Sequence, residues 1–207
     1  MRLEQELSRQ SDTLLALGYP AELAAAAAAL LEPLRAVVGE EVRSEPSGAS
    51  FVLVPVGPPV SARVPLLRLG ERTGTLSRHF ADVDTFGPNL EVPRAAAYAV
   101  VGVERGEEFC GVRPGEAAPV IADRGRSMLT LEEGLAFLHA VPNALEKNRC
   151  FHTGASRGTD KRVPAIWIAE RAPHVGWCWE GNHHTWLGVA SAAARVAPAL
   201  AGAAGAM

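Results

Sequence analysis

Four tryptophans, a Cys-His-His cluster and a basic loop crowd into the segment Arg157 to Gly188. Trp167, Trp177, Trp179 and Trp186 fall within twenty residues. An indole joins a large apolar face to one N–H donor, which suits flat ligands, sugars and cations as well as core packing. Trp167 lies in an apolar run and reads as core. Trp177 and Trp179 alternate with Cys178 beside polar turns, and both readings stand for them. The loop Ser156-Arg157-Gly158-Thr159-Asp160-Lys161-Arg162 offers backbone N–H groups, two hydroxyls and three cations. Such a loop is either an anion cradle or a solvated turn. It is not a Walker A loop, since no Gly-Lys-Ser/Thr follows the glycines, and the chain has no GxGxxG.

Two patterns bear on covalent or metal chemistry. Gly154-Ala155-Ser156-Arg157-Gly158 matches the GxSxG nucleophile elbow, which needs a strand before the serine and a helix after it. A strand carrying Pro164 follows instead, and Asp160 is too near in sequence to orient a base. Cys178, His183 and His184 form a C-x4-H-H cluster that Cys150 and His152 could join from a neighbouring strand. Thiolate and imidazole suit zinc or iron, but adjacent histidines point in different directions. Cys178 activated by His184 is the nucleophile reading. A buried inert thiol is the alternative, and no cofactor is assigned.

These groups must be held by regular elements. Leucines 3, 7, 14, 15 and 17 recur on one helical face, Gly18 is a stop, and Pro20 opens an Ala-rich second helix that Pro33 kinks or restarts. The two form a helical hairpin, an N-terminal arm over residues 1–40. Phe51 to Val56 is apolar throughout and predicts a buried strand. Arg63 to Leu69 reads as a short strand and 70–93 as a long loop of the kind that covers sites. Tyr98 to Val103 is a strand. Thr130-Leu131-Glu132-Glu133 is a capping box opening a helix, and Pro142 starts another turn. Cys150 to His152, Val163 to Ile168 and His174 to Glu180 are strands, the last with Trp177 and Trp179 opposite Cys178. Gly181-Asn182 is a turn. The pattern predicts a single α+β domain with a mixed or antiparallel sheet, its core over 41–190, and an Ala-rich helical end and tail over 191–207.

The segments 145–151, 161–168 and 176–188, the last reading Gly-Trp-Cys-Trp-Glu-Gly-Asn-His-His-Thr-Trp-Leu-Gly, resemble an actinobacterial family of uncharacterised proteins, a domain of unknown function of this length. Residues 16–20 and 103–110 fit it too, and the likeness covers Leu14 to Ala190. The family brings no established activity. In its pattern a proline often stands where His183 is here, and Gly158 need not be glycine. Both departures weaken the paired-histidine metal site and the nucleophile elbow, leaving Cys178, His184 and the 157–162 loop as the better candidates.

The 207 residues carry a net charge of −3 and a pI near 6.1, so no global basic field exists to hold nucleic acid. Three widely spaced cysteines make no disulfide framework and suit a reduced, cytoplasmic setting. The acidic N-terminus is unlike a signal peptide, and no stretch suits a bilayer. The bias towards Ala, Gly, Pro, Val and Arg suggests a high-GC bacterial genome. The leading expectation is binding of an anionic small molecule through Ser156, Arg157, Lys161, Arg162, Trp177, Trp179, Asn182 and Trp186. The alternatives are a thiolate- or metal-dependent enzyme on Cys178 and His184, and a protein–protein or homo-oligomeric module using the N-terminal helices.

Overall fold

A computed structural model describes residues 1–199. Three helices lead: α1 (Leu3–Ala16), α2 (Glu22–Ala29) and α3 (Leu31–Val38). Gly18, at φ +88°, turns the chain between the first two, and the helix restarts at Leu30 ahead of Pro33. Two eight-residue strands, β1 (Gly48–Pro55) and β2 (Ala97–Glu104), then pair antiparallel along their whole length. Both read as nearly unbroken apolar runs because the sheet is covered on both faces. Phe51, Leu53, Ala97, Ala99 and Val101 meet Leu7, Leu14, Leu23 and Leu30 of the helices. Val52, Val54, Tyr98 and Val100 face the opposite way into the main core. The N-terminal helices are therefore a layer of the domain.

Helices α4 (Pro114–Asp123) and α5 (Leu131–Ala140) follow. The capping box is present as expected: the Glu133 N–H donates to Thr130 Oγ1, and the Thr130 N–H donates to the Glu133 carboxylate. Almost every residue of α5 is buried, because the helix lies between two sheets. The second sheet contains β3 (Cys150–His152), β4 (Arg162–Ala169), β5 (Ala172–Trp179) and β6 (Leu187–Val189) in the order β6-β3-β4-β5, with Thr75–Leu76 added at the β5 edge. Neighbours are antiparallel except β6 with β3 and Thr75–Leu76 with β5, so this sheet is mixed. Gly134 lets α5 approach it: a Cβ there would meet Thr153 Cγ2 at 2.5 Å and Ile166 Cδ1 at 3.3 Å. The result is one α+β domain layered as helices, antiparallel sheet, helix and mixed sheet.

Two local expectations are corrected, and the expectation of a loop over 70–93 holds. Residues 63–69 are not one strand: Val60–Arg63 is a helical turn, Val64–Leu66 a 3-10 turn, and only Arg68–Leu69 is extended. Pro65 fixes a helical φ and withholds the N–H a ladder needs. The stretch from 191 is not helical as far as it is described. Ser191–Ala192 and Ala194–Val196 are strands on the β2 edge, so the first sheet, not a free helix, takes up the alanine-rich end. Residues 200–207 of the expected tail lie outside the described residues. The 70–93 segment is a loop carrying only two-residue strands and one 3-10 turn.

Candidate functional site

Strand alternation in the mixed sheet separates the residues that the sequence groups together. Pairing places Trp177 and Trp179 on the face of Pro164 and Arg162, and Cys178 on the face of Val163 and Ala165. On the first face the two indoles meet edge to face at 4.9 Å. Trp177 donates its ring N–H to the His79 carbonyl at 2.7 Å, and Trp179 remains 47% exposed. The Arg162 guanidinium lies over Phe86 at 4.9 Å and over Trp177 at 5.3 Å. It is bonded at both ends, to Asp82 and to Asp160. These bonds hold Asp82 below its ordinary value and raise Arg162 further. Arg162 thus clamps the 77–88 loop onto the sheet.

The remaining loop residues are also engaged. Arg157 pairs with Glu180 at 3.0 Å. Lys161 and Asn182 are exposed, and among the described residues Lys161 has no carboxylate partner. The cations therefore do not converge on one anion: two of them already hold carboxylates of the chain. Ser156 is fully buried in a short strand, Ser156–Arg157, paired with Gly87–Pro88. Its Oγ accepts the Leu131 N–H at 2.8 Å and approaches Glu132 Oε2 at 3.4 Å. No helix follows it, so Ser156 caps α5 and is not a nucleophile at an elbow.

On the other face runs a file of rings: His174 and Trp167 at 4.8 Å, Trp167 and Trp186 at 6.1 Å, Trp186 and His184 at 5.3 Å, His184 and His152 at 6.5 Å. His152 is fully buried; its Nδ1 meets the Gly188 carbonyl at 2.9 Å, while Nε2 has no partner among the described residues. Burial lowers it to about 4, so it is neutral at pH 7. Cys178 shares this face, but no hydrogen bond joins it to His184 among the described residues. Burial pushes its thiol up to about 11, opposite to the shift a thiolate nucleophile needs. Nor do any three His, Cys, Asp or Glu side chains among the described residues gather as an ion site, so Cys178, His183 and His184 do not form the cluster their spacing suggested.

A partly enclosed cavity lies elsewhere, at the end of β1 beside the capped end of α5. It holds about 220 Å³ and is walled by Val54 to Val60, Phe86, Pro88 and Val92. Arg63, Asp84, Tyr98, Thr130 and Glu132 supply its polar groups. Arg63 is 2% exposed, yet among the described residues no carboxylate pairs with it. Its Nε donates to the Tyr19 hydroxyl at 3.1 Å, and Nη2 reaches the Glu132 carbonyl at 3.4 Å. Nη1 makes no hydrogen bond among the described residues. Tyr19 in turn meets His139 Nε2 at 3.3 Å, and burial lowers His139 to about 4, which leaves that nitrogen able to accept. Buried charges are ordinarily paired, so a guanidinium with free donors at a cavity wall is unusual.

The residues of the sequence-predicted loop frame this cavity from outside. Phe86 is held by Arg162 and by contact with Gly158, Pro88 by the Ser156–Arg157 strand, and Glu132 by Ser156. Sequence reasoning missed Arg63 itself. Its signal was a single arginine in the run Pro58 to Leu67, which is otherwise apolar apart from Ser61 and is bracketed by prolines.

The match that places the chain covers residues 13–198, running from within α1 to beyond the last strand of the first sheet. The chain belongs to DUF5701, a family of unknown function. No curated protein and no solved structure matches it. The span matched to DUF5701 includes every wall of the Arg63 cavity and every residue of both faces of the mixed sheet. No helix among the described residues is long and apolar enough to cross a membrane.

Proposed function

We propose that this DUF5701 chain is a small-molecule-binding protein whose ligand presents a carboxylate to Arg63. One observation carries the reading: a buried guanidinium, without a carboxylate partner among the described residues, has free donors at the wall of a largely apolar cavity. Guanidinium donors fit carboxylates in the plane and with charge assistance. A few polar groups among apolar walls are the usual makeup of a ligand site. At about 220 Å³ the cavity is below the roughly 300–1,000 Å³ range of drug-sized sites, which favours a small metabolite. The anionic class is the one expected from the sequence; the proposed location moves from the 157–162 loop to the cavity that loop frames. Three free cysteines suit a reduced compartment, and we place the protein in the cytoplasm on that ground.

A thermal-shift screen of small organic acids tests this. A ligand at 100 times its Kd adds about 2.7 kcal/mol to stability. Arg63→Met should abolish the shift of every acid that stabilises the parent. Val56→Trp, at an exposed residue of the wall, should do the same without touching the guanidinium. Hits that survive both substitutions would place the ligand elsewhere.

A further inference from the structure

The cavity holds a second group with unused capacity. Glu132 lines it, and among the described residues the only side-chain bond its carboxylate makes is from the Ser156 hydroxyl to Oε2, while Oε1 has no partner. Asp84, the other carboxylate of the wall, is already spent on Ser61, accepting from its N–H at 2.9 Å and its hydroxyl at 2.5 Å. Arg63 and Glu132 are not ion-paired with each other, although the Arg63 guanidinium touches the Glu132 carbonyl. Arg63 and Glu132 thus line one small cavity without pairing with each other, and among the described residues each keeps an atom, Nη1 and Oε1, that makes no hydrogen bond. The rest of the wall, Val54, Val56, Phe86 and Val92 among prolines, is apolar.

We infer that the ligand of the Arg63 cavity is a zwitterion: a free amino acid with an apolar side chain, its carboxylate on Arg63 and its ammonium on Glu132. This rests on the proposed carboxylate site and adds the amine and the apolar body. A ligand with only an acid would leave Glu132 facing the cavity without a counter-charge. A ligand with only an amine would do the same to Arg63. A partly enclosed site penalises either arrangement, because an unpaired charge there is poorly solvated. An apolar side chain matches the valine, phenylalanine and proline walls, whereas a polar one would lose its water without a partner.

Calorimetric titration with three ligands of one carbon skeleton separates the possibilities: leucine, the acid lacking its amine, and the amine lacking its carboxylate. Leucine should bind at least about tenfold more tightly than either, since each lost charge-assisted bond costs about a factor of ten or more. Glu132→Gln should weaken leucine and tighten the acid, so that the preference for leucine over the acid is lost. The ligand comparison needs no variant, so a Glu132 substitution that fails to fold does not disturb it. Equal binding of leucine and the acid overturns the zwitterion and leaves the carboxylate site standing. Absence of binding by all three, with no other apolar amino acid or acid replacing them, overturns both.

Discussion

An arginine turned into the fold can be read by what holds it, and Arg195, largely but not fully buried, is the counterpart of Arg63. Its Nε and Nη2 bond both oxygens of Glu133 at 2.7 Å, and it also reaches Ser127 Oγ and the Met128 carbonyl. Glu133, with no exposed side-chain surface, also accepts the Tyr98 hydroxyl at 2.9 Å. That pair is fully satisfied, so it is structural. Removing one member leaves a buried charge alone, and Arg195→Met should cost about 3–5 kcal/mol in urea unfolding. Arg63→Met removes a charge that has no carboxylate partner among the described residues, and should cost much less. Histidine protonation supplies a second residue-scale expectation. His139 and His152 are both lowered from 6.5 to about 4 by burial. Between those values the unfolded chain binds protons that the folded one does not. Stability is therefore full above about pH 6.5 and falls as pH drops towards 4, by up to roughly 3 kcal/mol per histidine. Denaturant midpoints measured from pH 7.5 to 4 should show that slope, and His139→Phe should reduce it.

At the scale of elements, α5 is the part that everything else is built around, and its start was legible from four letters. Thr130 and Glu133 form the expected box, while Ser156, twenty-five residues away, supplies a third bond at the same end. Thr130→Ala should cost about 1 kcal/mol, and so should Ser156→Ala. The double variant should depart from additivity, because the two caps serve the Leu131 and Glu133 N–H groups of one turn. Gly134→Ala tests the layering. In an exposed helix this change gains up to about 1 kcal/mol, but here the new methyl meets Thr153 at 2.5 Å. Its expected sign is destabilising, by about 1–3 kcal/mol, read from thermal unfolding. The central strands, the capped helix and the strands carrying tryptophan were legible because apolar runs and turn residues bound them. The candidate site was legible only in part. The 154–162 loop and its tryptophans drew notice through composition, but residues remote in sequence decide what they do. Asp82 meets Arg162 across eighty positions, and Glu180 meets Arg157 across twenty-three. Spacing cannot show that a cation is already paired. Arg63 escaped for the opposite reason, since one charge among prolines and valines forms no local pattern.

For the whole molecule, the N-terminal helices cover one face of the first sheet, and the cavity reads through to them by way of Tyr19. Deleting the residues before Glu40 would bare Phe51, Leu53, Ala97, Ala99 and Val101 and leave Arg63 without its hydroxyl acceptor. The truncated chain should bind a hydrophobic dye and aggregate rather than persist as a folded monomer, as light scattering would show. This reading gives the helices a structural duty before any interaction role. A crystal structure of the chain with the tightest-binding acid or amino acid from the screen locates the ligand carboxylate. It should show a carboxylate oxygen within about 3 Å of Arg63 Nη1 and an apolar body against Phe86 and Val92, and that is the placement at stake. Ligand density against Trp177 and Trp179 or on Lys161, with only water beside Arg63, would contradict it.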